Sequence, residues 1–254
     1  MLSIHIMTHQ VCKLIVLSSV GFCLAMNVSA QAPQPWSEYK VHDESRPRPV
    51  KVPNQGAVTT KAPEGATVLF DGRNMDAFTR KWKISGGKMI ASPRNNNTKE
   101  SFGSCYLHVE WRIPANRKVD GQSGGNSGIF FMGKYEVQVM ESHKNETYAD
   151  GQAAALYGQT PPMVNASAPH GEWQSYDIIF EAPVYGEDGM ITPAYVTVVH
   201  NGVVVHARQK YYGPTTHKKA ATYPKNHPEK APISFQWHND PVEFRNIWVQ
   251  DLSE

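Results

Sequence analysis

Residues 106–113 (YLHVEWRI) alternate without a break, with Leu107, Val109, Trp111 and Ile113 on one side and Tyr106, His108, Glu110 and Arg112 on the other. A two-residue period is the signature of a β-strand with one face in a core. Shorter runs of the same kind recur at 67–70, 82–84, 89–92, 173–181, 195–200, 203–206, 233–237 and 242–249, separated by turn signals such as Asp71-Gly72 and Gly86-Gly87. Asn201-Gly202 joins two of these runs and is the strongest hairpin signal in the chain. No segment sustains a helical period for three turns, and strands do not alternate with helices. The chain therefore reads as all-β, a sandwich of two antiparallel sheets.

The stretch that the other runs serve is 124–142, GGNSGIFFMGKYEVQVMES. A glycine-rich turn leads into the apolar run 129–132, a turn at Gly133-Lys134, and the strand 135–140. Alternation puts Val137 and Val139 toward the core, and Glu136 and Gln138 side by side on the opposite face. Glu141 rejoins that face if a bulge adds one residue. Two carboxylates bracketing an amide can do acid/base work on a sugar. The same pattern also describes an outer sheet face in water.

Two stretches without strand periodicity, 142–164 and 210–231, exceed ordinary loop length and are expected to carry function. The first holds Tyr148, Asp150 and Tyr157; the second holds Tyr211, Tyr212, His217, Tyr223 and His227. Aromatic rings stack on sugar C–H faces, and polar groups bond sugar hydroxyls. Any one of these tyrosines, taken alone, is better read as holding its loop down.

The ends differ from this middle. Met1–Ala30 carries Lys13, an apolar segment at 14–25 and the small-residue end Val28-Ser29-Ala30, the pattern of a secretory signal peptide cleaved after Ala30. The mature protein is expected to be exported, periplasmic or secreted, with no membrane attachment. Residues 31–63 hold Pro33, Pro35, Pro47, Pro49, Pro53 and Pro63 among charged residues and read as an extended leader or linker, with Trp36 and Tyr39 able to pack back. The domain proper is 64–254. Beyond the leader peptide only Cys105 remains, so no intrachain disulfide can form there. With 25 basic and 23 acidic residues, nothing points to nucleic acid or an anionic membrane as a partner.

The blocks LFDGRNMDAF (69–78), WKISGGKMIAS (82–92), 124–142, GQAAALYGQTPP (151–162), GEWQSYDIIFEAP (171–183), HNG (200–202) and FRNIWV (244–249), in this order, resemble the 3-keto-disaccharide hydrolase family. The leader's SEYKVHD (37–43) resembles that of exported bacterial members. The resemblance implies a concanavalin A-like jelly roll with a carbohydrate on its concave face. A further resemblance links Glu136-x-Gln138-x-x-Glu141 to the bulged Glu-x-Asp-x-x-Glu motif of family-16 glycoside hydrolases. Gln138 stands where that motif has Asp, and an amide cannot tune its neighbours as a carboxylate does.

What the family resemblance implies is cleavage of 3-keto-disaccharides, by elimination and hydration or by net hydrolysis. Its expected catalytic residues here are Glu136, His238 and Glu141, and its expected substrate contacts are Asn126, Gln138, Tyr157, Gln236 and Arg245. No cofactor is required, although Glu136, Gln138 and His238 offer donors for a divalent cation. A lectin-like carbohydrate-binding module and a family-16-like β-glucanase are the competing readings.

Overall fold

The computed structural model describes residues 31–253; the expected signal peptide lies outside the described residues. Fourteen strands occur among them. In chain order these are β1 (Thr67–Phe70), β2 (Lys83–Ser85), β3 (Lys88–Ile90), β4 (Asn96–Phe102) and β5 (Cys105–Arg112). The hairpin β6 (Ser127–Phe131) and β7 (Tyr135–Val139) follows, then β8 (Gln174–Glu181), β9 (Val184–Gly186) and β10 (Gly189–Thr192). The chain closes with β11 (Tyr195–His200), β12 (Val203–Lys210), β13 (Ala231–Phe235) and β14 (Glu243–Asp251). The one helical turn among the described residues is Ala149–Gly151. No described helix is long and apolar enough to cross a membrane.

The strands form an antiparallel β-sandwich, the concanavalin A-like jelly roll. The larger sheet runs β12-β11-β8-β5-β14-β3-β2, with β1 also on β14. The smaller runs β4-β13-β6-β7, and β9 and β10 pair apart as a hairpin. Leu107, Val109, Trp111, Tyr176 and Phe180 of the larger sheet meet Ile129, Phe131, Tyr135, Val137, Val139 and Phe235 of the smaller in one continuous core. The expected hairpin at Asn201-Gly202 is present, both residues at positive φ (51° and 80°) as a type I′ turn requires.

Three strands lack the expected pattern. β4 is largely polar (NNTKESF), yet Asn96 is buried because its side chain bonds both backbone groups of Arg80, and the Thr98 hydroxyl accepts from Ile233 N–H. Hydrogen bonding replaces hydrophobicity as the reason for burial there. β9 and β10 form an exposed hairpin with no core face to impose alternation.

Residues 31–63 lie against the sandwich along their length. Val41 is fully buried, Trp36 stacks on Tyr212 with centroids 4.2 Å apart, and backbone bonds tie Val50 and Val52 to Asn165. Further on, Thr60 O accepts from the Asn246 and Trp248 side chains on the outer face of the larger sheet. Proline content describes the extended backbone of this segment, while its scattered Val41, Trp36 and Gln34 anchor it.

Candidate active site

Alternation along β7 drives Tyr135, Val137 and Val139 into the core and turns Glu136 and Gln138 to the far side of the smaller sheet. Register with β6 sets Gly128 opposite Gln138 and Phe130 opposite Glu136. A side chain at Gly128 would overlap Glu136 Oε1, so the glycine makes the room in which the carboxyl lies. The backbone of Glu136 is fixed from the long loop: its N–H donates to the Thr215 hydroxyl (3.0 Å) and its carbonyl accepts from Tyr211 (3.0 Å).

Over this face the two long loops and the end of β13 enclose a cavity of about 320 Å³. Asn126, Phe130, Glu136, Gln138, Tyr157, Thr215, His217, Gln236 and His238 line it. Six of the eight residues singled out from the sequence thus meet at one place. The other two are elsewhere. Glu141 accepts the backbone N–H groups of His143 (3.0 Å), Lys144 (3.2 Å) and Asn145 (2.8 Å), so its carboxylate closes a turn. Arg245 lies on the larger sheet, bonded to Glu110 at 2.6 Å, with its guanidinium 4.1 Å from the Trp173 ring centroid. Burial pushes Glu110 up, but bonds from His108, Asn246 and Arg245 outweigh it and bring the carboxyl down to about 2. That buried network occupies Arg245.

Phe130 and Thr215 join the lining without having been named from the sequence, and His217 joins it from among the loop residues expected to meet a sugar. Phe130 was hidden in an apolar run, although it shares a face with Gly128 and, across the hairpin, Glu136. Thr215 and His217 sit in the loop flagged for its length, and only the tertiary fold places them.

The electrostatics follow from burial. The Glu136 carboxyl is pushed up to about 8 by desolvation, so it is largely protonated at neutral pH. His217 is held below its ordinary value by burial, then by Lys218 and His238, which keeps it neutral. Burial raises Tyr157 to about 12, leaving it a hydroxyl donor. Its oxygen is 2.8 Å from the Tyr148 hydroxyl and 3.4 Å from His217 Nδ1. The side-chain oxygens of Gln138 and Gln236 are buried without a protein partner, as acceptors for ligand hydroxyls would be. Among the described residues no three His, Cys, Asp or Glu side chains gather as a metal site.

A protonated acid, a neutral imidazole and amide oxygens without protein partners beside two aromatic rings suit the hydroxyl-rich, weakly polarised bonds of a sugar, and the relatives of the chain fall in that class: it is a carbohydrate-active enzyme. More particularly, residues 65–250 match the model of the 3-keto-alpha-glucoside-1,2-lyase-like domain, and the chain belongs to that family. A crystal structure of a provisionally named glycosyl hydrolase from Parabacteroides distasonis ATCC 8503 is 33% identical, covering 87% of this chain and 100% of its own, with a TM-score of 0.72. Another from the same organism, 18% identical over 78% of this chain and 100% of its own, shares the fold at a TM-score of 0.55. No curated protein sequence matches the chain.

Proposed function

We propose that this protein is an exported enzyme that cleaves 3-keto-glycosides by β-elimination followed by hydration. The observation that carries this reading is the Glu136 carboxyl, held protonated by burial at the wall of a cavity that also presents the imidazoles of His217 and His238. A carbonyl at C3 acidifies the hydrogen on C2. His238 removes that proton, and the Tyr157 hydroxyl donates a hydrogen bond to the developing enolate oxygen. The enolate expels the C1 substituent, forming C1=C2 as the C1–O bond breaks, and Glu136 protonates the departing oxygen. In hydration the Glu136 carboxylate takes a proton from water adding at C1, and the imidazolium returns one to C2. Both groups end in their starting states, so the cycle needs no cofactor. Gln138, Gln236 and Asn126 hold the sugar hydroxyls while Phe130 meets a C–H face.

The retaining family-16 route needs a carboxylate at the third motif position, and Glu141 is engaged with backbone amides instead. The test is incubation with a 3-keto-α-disaccharide in D2O. The expected result is an enone intermediate, then reducing 3-keto sugar with deuterium at C2, while the parent disaccharide is untouched. Cleavage without C2 exchange would overturn the elimination. Sugar binding without turnover would make the protein a lectin-like module, and cleavage of laminarin would make it a glucanase.

A further inference from the structure

The family match begins at residue 65, so the leader lies outside it. Yet the leader reaches the cavity from behind. Gln34 Nε2 donates to Gly158 O at 2.8 Å, and Arg46 donates to Gln159 O at 3.2 Å, both on the loop that carries Tyr157. His42 sits in the left-handed region (φ 57°), a conformation that its backbone N–H bond to Asp150 Oδ2 (3.1 Å) secures. The residue is buried, and its ring stacks on Tyr148, centroids 4.2 Å apart and planes 20° from parallel. Tyr157 and His217 lie 4.9 and 5.5 Å away from the same ring.

We infer that His42 of the leader braces the catalytic site from behind as a positioning residue. Its ring fixes Tyr148, the Tyr148 hydroxyl fixes that of Tyr157, and Tyr157 in turn orients His217 at the cavity. Tyr157 alone could swing on its two side-chain torsions; the stack behind its partner removes that freedom. Burial, then His217 and Lys218, pull His42 down to about 4, so the ring is neutral and acts by shape. A charged imidazole there would be repelled by Lys218. The chain of contacts ends in two groups that face the substrate, which is why a residue outside the family match bears on turnover.

For its kinetic readout this inference rests on the proposed elimination. His42→Asn, which tolerates the left-handed backbone but loses the ring, is expected to lower kcat on the 3-keto-α-disaccharide at least tenfold with KM changed less than threefold. His42→Phe, which keeps a flat ring, is expected to restore kcat to within threefold of wild type. Trp36→Ala, on the same leader but stacked on Tyr212 away from the cavity, is expected to stay within twofold. In ¹H–¹⁵N spectra of the histidine rings recorded without sugar, the His217 signal is expected to move in His42→Asn and not in Trp36→Ala. Full activity of His42→Asn, an equal loss in Trp36→Ala, or an unmoved His217 signal would overturn the inference. If His42→Asn does not fold, Tyr148→Phe reads the same chain, and unchanged kcat there is refuting. If wild type leaves the keto-sugar intact, the proposed reaction falls, and the His217 spectra alone decide the role of His42.

Discussion

Gly128→Ala isolates the placement of one carboxyl. Gly128 is not at positive φ, so its backbone suits any residue, and what it lacks is room. An added Cβ would overlap Glu136 Oε1 and lie 3.0 Å from both Glu136 Cδ and Phe130 Cε2. Relief comes most cheaply by rotating Glu136 off its rotamer, at about 0.5–1.5 kcal/mol. Against this, replacing a strand glycine by alanine returns roughly 0.5–1 kcal/mol of conformational entropy. The two nearly cancel, so the urea midpoint should correspond to a stability within about 1 kcal/mol of wild type. Catalysis has no such compensation. A displacement near 1 Å costs on the order of 100-fold in rate, equivalent to about 2.7 kcal/mol of barrier. Stability and kcat on the 3-keto-α-disaccharide, measured on one preparation, decide the matter. Unchanged kcat would mean that the carboxyl position is immaterial. A loss above about 3 kcal/mol of stability with intact turnover would make Gly128 a packing residue only.

Two further variants separate chemistry from structure. Glu136 has an ordinary pKa of 4.5 and a folded value of about 8, so between those pH values the folded state keeps a proton that the unfolded chain has lost. Its contribution therefore weakens as pH rises through that window, by up to about 1.4 kcal/mol per pH unit, and Glu136→Gln should flatten that part of the urea-midpoint profile. Parallel profiles for the two proteins would show the carboxyl ionised in the fold. Glu141→Gln should cost about 1–3 kcal/mol by weakening three bonds from backbone N–H groups, while kcat per folded molecule stays within twofold; a larger kcat loss would return Glu141 to the chemistry.

The sheets were legible wherever a core face imposes alternation, as along β5 and β7. They were illegible where something else holds the strand: β4 is buried through the amide of Asn96 and the hydroxyl of Thr98, groups that read as a loop. The same limit governs the site. Glu136 and Gln138 follow from period two, and their convergence with Gln236 and His238 from the sandwich. Glu141 looked equivalent to Glu136 because spacing records position but not partners, and three nearby N–H groups had claim on it. Arg245 was drawn toward the site by the same blindness: the competing carboxylate, Glu110, is far away in sequence. Thr215 and His217 enter through a loop whose path only tertiary contacts define.

Because the cavity is on the outer side of the smaller sheet, β7 carries two vocabularies interleaved residue by residue. Tyr135, Val137 and Val139 belong to the interior, Glu136 and Gln138 to the cavity. Lineages can therefore exchange cavity residues one at a time without repacking the core, and remodel the surrounding loops more freely still. A single insertion or deletion within the strand is another matter, since it would trade every interior side chain for a cavity one. Divergence of substrate preference in proteins built this way should proceed by substitution on the strands and by changes of length in the loops, with strand length itself held constant.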